Sequence, residues 1–183
     1  MKYDGELANL DNVKILGFKA DIKSISQTLD EINSLIIDCG SINENNGDNK
    51  QPIIQLMNAK AIAGRKHLEH GTIQAIKAFA RGENLAKDLG IEILLRTSGQ
   101  RQISKAFNIL GLKEEPMDIA VVLIDCLNET VDSLNDMFDR NDGVLEADEL
   151  ILKEIYCIDE KELKTIHIED ILIDKTTKLI VEN

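Results

Sequence analysis

Two short segments place fixed positive charge and free hydrogen-bond donors beside glycines. One is Arg96-Thr97-Ser98-Gly99-Gln100-Arg101-Gln102, and the other runs from Asn58 to Gly71 with Lys60, Arg65, Lys66 and His67. A guanidinium presents its donors in a planar fork that suits phosphate. A helix start adds free backbone N–H groups and the positive end of the helix dipole. Helix starts otherwise favour acids, so arginines around Ser98-Gly99 predict an external anion. In this reading Ser98 caps a helix, Gly99 leaves the first-turn amides uncovered, and Arg96 and Arg101 flank them. The alternative is structural: Arg101 and Gln102 are ordinary exposed helix residues, and Arg96 pairs with an acid of the C-terminal third. His67 would then pack and bond a backbone carbonyl.

Other chemistries find no support in the spacing. There is no Gly-x4-Gly-Lys phosphate loop, no Gly-x-Gly-x-x-Gly after a strand and no Gly-x-Ser-x-Gly elbow. His67 and His70 stand three apart around Glu69 without a third ligand nearby, which is not a zinc pattern. The stretch Asp139 to Leu150 resembles a calcium loop only at a glance. With Asp139 first, Gly143 and Leu150 fall where ligands belong. Glu146 and Asp148 instead suit the start of the next helix. Cys39, Cys126 and Cys157 are distant in sequence and odd in number, and read as small buried apolar residues rather than a disulfide framework. No catalytic, metal or cofactor site is expected.

The elements that must position these segments follow from periodicity. Val13, Ile15 and Phe18 predict a strand. Asp21 is placed to cap a helix bearing Ile22, Ile25, Leu29 and Ile32. Residues 40–52 hold two glycines, several asparagines and Pro52, which predicts a mobile loop. Ile53 to Met57 reads as a strand. Residues 66–81 predict a helix with Leu68, Thr72, Ala75, Ile76 and Phe79 inward, closed by Gly82. Asn84 caps a short helix ending at Gly90. Residues 91–96 read as a strand, 99–110 as a helix with Ile103, Ala106, Phe107 and Leu110 inward, and 118–124 as a central strand. Helices over 129–139, 145–157 and 160–173 complete the chain. The class is α/β: a mixed β-sheet packed with helices and a helical C-terminal third. Ligands of such sheets gather at the carboxyl ends of strands, where both basic segments were placed.

The chain of 183 residues is 43% hydrophobic with 3% aromatics, enough for one domain, residues 1–183, with an aliphatic core. No apolar run approaches the roughly 20 residues that span a bilayer, and the opening residues lack the pattern of a signal peptide. A soluble, cytoplasmic protein without membrane contact is expected. The net charge of -12 is uneven. Residues 58–105 hold 9 bases and 4 acids, whereas 106–183 hold 7 and 20. An acidic whole opposes nonspecific polyanion binding. A basic island within it favours one docking site, or else merely decorates solvated helix faces.

Residues 57–113 also resemble a known family. The telling pieces are Ala63-Gly64-Arg65 with His67-Leu68, Arg81-Gly82 before Leu85, Glu92-Ile93-Leu94-Leu95-Arg96, Ser98-Gly99 and Arg101-Gln102-Ile103. They resemble the small kinase-binding subunit of the KEOPS complex, whose eukaryotic member is TPRKB. The likeness is specific over 57–126 and weak after 130. The resemblance implies a non-enzymatic role in making threonylcarbamoyladenosine at position 37 of tRNA. It implies direct binding to the kinase-like ATPase subunit, indirect contact with other KEOPS subunits, and a grip on the single-stranded 3′ CCA end of tRNA. On that reading Arg96 and Arg101 meet phosphates, with Gln102 beside them. Ser98 and the Gly99 amide cap the helix or bond the terminal nucleotides, and Lys60, Arg65 and His67 form the opposite wall. RNA ends are recognised through base edges, stacking and phosphate contacts, so few bases suffice. Two rivals stand: a protein-interaction regulatory module with no RNA contact, and a small-molecule phosphate enzyme with His67 as its base.

Overall fold

The computed structural model describes residues 12–45 and 51–181. Its centre is a four-stranded sheet in the order β2-β3-β1-β4. The strands are β1 (Val13–Asp21), β2 (Ile53–Asn58), β3 (Pro116–Ile124) and β4 (Asp139–Arg140). Each of their pairings is antiparallel. The unbroken apolar run at 119–124 is what a strand covered on both faces requires, and these six residues are at most 1% exposed. Alternation sends Ile15, Val122 and Ile124 to one face and Leu16, Phe18, Val121 and Leu123 to the other.

Helices cover both faces. α1 (Ile25–Asn45) and α5 (Asn128–Met137) lie over the Leu16–Phe18 side. α2 (Arg65–Arg81), α3 (Leu89–Ser98) and α4 (Ile103–Leu110) lie over the Ile15 side. α6 (Glu149–Tyr156), α7 (Glu160–Leu163) and α8 (Ile168–Val181) make up the helical C-terminal part. Leu152, Tyr156, Ile171 and Leu172 build a third cluster there with Ala63, and α8 packs on α2 and α3. No helix among the described residues is long and apolar enough to cross a membrane.

Several boundaries differ from the sequence expectation, each for a local reason. α1 starts at Ile25, after Asp21 has ended β1. Ser24 supplies the cap instead, accepting at Oγ from Gln27 N–H at 3.3 Å. The predicted loop at 40–52 is helical through Asn45, and its residues 46–50 lie outside the described ones. Residues 84–88 form no helix. Asp88 caps α3 by accepting from Ile91 N–H at 3.0 Å, and Gly90 sits inside the first turn. The largest change is at 91–96, which is helix α3 rather than a strand. Nine of its ten residues are buried, and its apolar residues, Leu89, Ile91, Ile93, Leu94 and Leu95, are spread around the helix and mark no single stripe. A short run of that kind cannot be told from a core strand by periodicity.

Candidate functional site

Turning 91–96 into a helix reverses the polarity of the 96–102 segment. Gly99 ends α3 in the left-handed region, with φ 64°. Its N–H donates to the Arg96 carbonyl at 3.1 Å, and Gln100 N–H donates to the Leu95 carbonyl at 3.1 Å. This is the usual glycine closure of a helix. The expected helix start is therefore a helix end, and the Gly99 amide is spent inside it. Ser98 caps no helix start either. It is 1% exposed, and its hydroxyl donates to the Leu95 carbonyl at 3.1 Å.

Arg96 is likewise internal, at 2% exposed. Its Nε donates to Glu92 Oε1 at 2.7 Å, one helical turn back. The partner is thus neither a phosphate nor a C-terminal acid. Glu92 Oε2 in turn accepts from the Leu85 and Ala86 N–H groups at 2.8 Å each, and Arg96 Nη2 donates to the Glu83 carbonyl at 3.3 Å. The pair stitches the 83–88 loop onto α3. A buried ion pair is tolerable when its remaining lone pairs and protons are bonded in this way.

His67 is fully buried and has both ring nitrogens engaged. Nδ1 accepts from Ala63 N–H at 3.1 Å, and Nε2 stands 2.9 Å from the Thr97 carbonyl, to which it donates in the neutral ring. Burial lowers its pKa from 6.5 to about 4, against the raising effect of the Thr97 carbonyl and with a lesser lowering from His70. The ring pins the entry of α2 to the end of α3. It has no nitrogen free for a proton transfer or for a wall facing solvent. Its neighbour His70 stands 3.1 Å from the Thr177 hydroxyl of α8, so the two histidines do not converge. Among the described residues no three metal-binding side chains cluster.

The remaining expected residues are at the surface but not all in one place. Lys60 is exposed on a 3-10 turn, Ala59–Ala61, that packs against α4 and α6. Arg65 is exposed at the start of α2, and its Nη2 donates to the Ile15 carbonyl at 3.0 Å. Arg101 and Gln102 are exposed where α4 begins. There Gln102 occupies the cap position without a side-chain cap bond, and no acid stands in the first turn. Free amides beside a guanidinium, the feature sought at Ser98-Gly99, therefore occur one helix later. Lys105, on the first turn of α4, is exposed too.

Two apolar residues on α4 were expected inward and are not. Ile103 is 46% and Phe107 44% exposed, while Ala106 and Leu110 are buried. Phe107 borders a groove of about 490 Å³ between α4, β2 and α1, with Leu29 and Ile36 on the far bank. The apolar stripe of α4 is wider than the core uses. Its i, i+4 spacing was visible in the sequence, but which half of the stripe faced out depended on the angle at which α4 packs.

Together these features define a helix-covered antiparallel sheet that offers cations, donors and apolar side chains for docking. The comparison with known proteins agrees in kind. Residues 20–177 match the family described as Kinase binding protein CGI-121, and the chain belongs to it. It is 36% identical over 109 residues to the Regulatory protein Cgi121 of Methanocaldococcus jannaschii, a stretch covering 57% of this chain and 70% of that protein. It is 42% identical over 59 residues to the KEOPS complex subunit Cgi121 of Pyrococcus abyssi, covering 31% of this chain and 34% of that one.

Proposed function

We propose that this protein is a non-catalytic, cytoplasmic subunit of a KEOPS complex, folded as one domain. It binds the kinase-like ATPase subunit and the 3′ CCA end of tRNA during threonylcarbamoyladenosine synthesis. The observation that carries the assignment is the family match over residues 20–177, reinforced by a relative named as a KEOPS subunit. For the RNA contact, support comes from the start of α4, where Arg101, Gln102 and Lys105 surround an uncapped first turn. Phosphate is favoured at such a place by both the dipole and the free amides. Lys60 and Arg65 add positive charge at the surface. Arg96, Ser98, Gly99 and His67 serve the contact only by holding the α2–α3–α4 scaffold.

The test has two arms. The full chain is titrated with the kinase-like subunit by calorimetry, and with tRNA carrying or lacking its CCA by fluorescence anisotropy. Kinase binding together with CCA-dependent tRNA binding upholds the reading. Equal affinity for both RNAs removes the 3′-end assignment. The exposed Ile103 and Phe107 favour a second reading, a regulatory protein-interaction module without RNA contact. Kinase binding with no tRNA binding would select it.

A further inference from the structure

Cys39 and Cys126 are separated by most of the sheet in sequence, yet they meet in the fold. Cys39, on the buried side of α1, is 3% exposed, and its Sγ lies 3.9 Å from the carbonyl oxygen of Asp125. The next residue is Cys126, half-buried at the end of β3. Asp125 turns through the left-handed region, with φ 53°. The Cys126 thiol then points back at the sheet, 3.4 Å from both the Ile53 and Ile124 carbonyls. Both sulfurs thus lie against carbonyls of the same turn, Ile124 and Asp125, at the end of β3. Three elements, α1, β2 and β3, thus converge on one pair of sulfurs, while Cys157 stands apart and exposed.

We infer that Cys39 and Cys126 form a thiol pair that small-molecule disulfides convert to an internal disulfide. Access decides the order of events. The Cys126 thiolate, on the half-exposed side, attacks a sulfur of the reagent, forms a mixed disulfide and expels one thiolate. Cys39, held beside it, then attacks the Cys126 sulfur and expels the second. Two protein thiols are oxidised, one reagent disulfide is reduced to two thiols, and the two protons pass to solvent or to the leaving thiolates. The product links the second half of α1 to the end of β3, across the chain from residue 39 to residue 126. A cross-link of that span limits the unfolded chain and clamps α1 to the sheet. Burial pushes the Cys126 thiol up to about 12. Reaction is therefore slow at neutral pH and quickens as pH rises.

The experiment incubates the reduced full chain with oxidised glutathione, quenches it by alkylation in denaturant, and maps the peptides by mass spectrometry. The expected result is a peptide pair joined through Cys39 and Cys126 and lacking two hydrogens, with glutathione retained on Cys157 alone. The cross-linked form melts at a higher temperature and reverts with dithiothreitol. In Cys126→Ala no cross-link forms and Cys39 is recovered alkylated. Cys157→Ser leaves the cross-link unchanged. Reaction at Cys157 with both other thiols recovered alkylated would overturn the inference, as would glutathione remaining on Cys126 beside a free Cys39.

Discussion

At the scale of single residues, the same side chain types serve opposite ends according to burial. Arg96 and Arg101 lie five positions apart, but Arg96 is 2% exposed and Arg101 faces solvent. Removing the Arg96 guanidinium strands the Glu92 carboxylate in the core. Arg96→Ala should cost about 3–5 kcal/mol of stability, read by urea denaturation, and so would mimic a binding defect through unfolding. A loss under 1 kcal/mol would mean that the pair is not buried as described. His67 gives a pH signature. Its folded pKa, about 4, lies below the unfolded 6.5, so the unfolded chain binds the extra proton. Its contribution is complete above pH 6.5 and lost as pH falls toward 4, at most about 3 kcal/mol. The difference in stability between the wild type and His67→Phe should shrink across that window, followed by denaturation at pH 7, 5.5 and 4.

At the scale of elements, α2 and α3 cross so closely that only glycine fits at position 71. A Cβ there would lie inside contact distance of Thr97 Oγ1 and 3.0 Å from the Thr97 Cα. Gly71→Ala should therefore destabilise by about 1–3 kcal/mol despite the better helix propensity of alanine. Adding Thr97→Ala removes the nearest atom, so the double variant should lose less than the sum of the singles. Additive losses by thermal denaturation would contradict the crossing. The same crossing shows what the sequence could reveal. β1, β2 and β3 were legible because their residues alternate between faces or run unbroken through the core. α2 was legible because Leu68, Thr72, Ala75 and Ile76 keep a helical stripe. α3 was hidden because it is enclosed on all sides, and with it went the direction of the 96–102 segment. Arg101 and Gln102 are exposed, as either reading of them required, while the engagement of Arg96, Ser98 and His67 arises from contacts that spacing does not encode.

At the scale of the whole molecule, an acidic chain with a basic island should hold RNA by a few contacts only. The net charge is -12, with the excess of bases confined to residues 58–105, and of those bases Arg96 is buried against Glu92 and faces no solvent. Acidic surroundings repel the rest of a polyanion and leave a single place for its end. The most direct test is anisotropy of labelled tRNA with the wild type and Arg101→Glu across a series of salt concentrations, after confirming equal thermal stability. The account predicts a slope of log affinity against log salt of about −2, as for roughly three single-strand phosphates. It also predicts at least about a tenfold loss of affinity for Arg101→Glu, with a shallower slope. Unchanged affinity and slope in Arg101→Glu, at equal stability, would contradict the placement of the RNA contact at the start of α4.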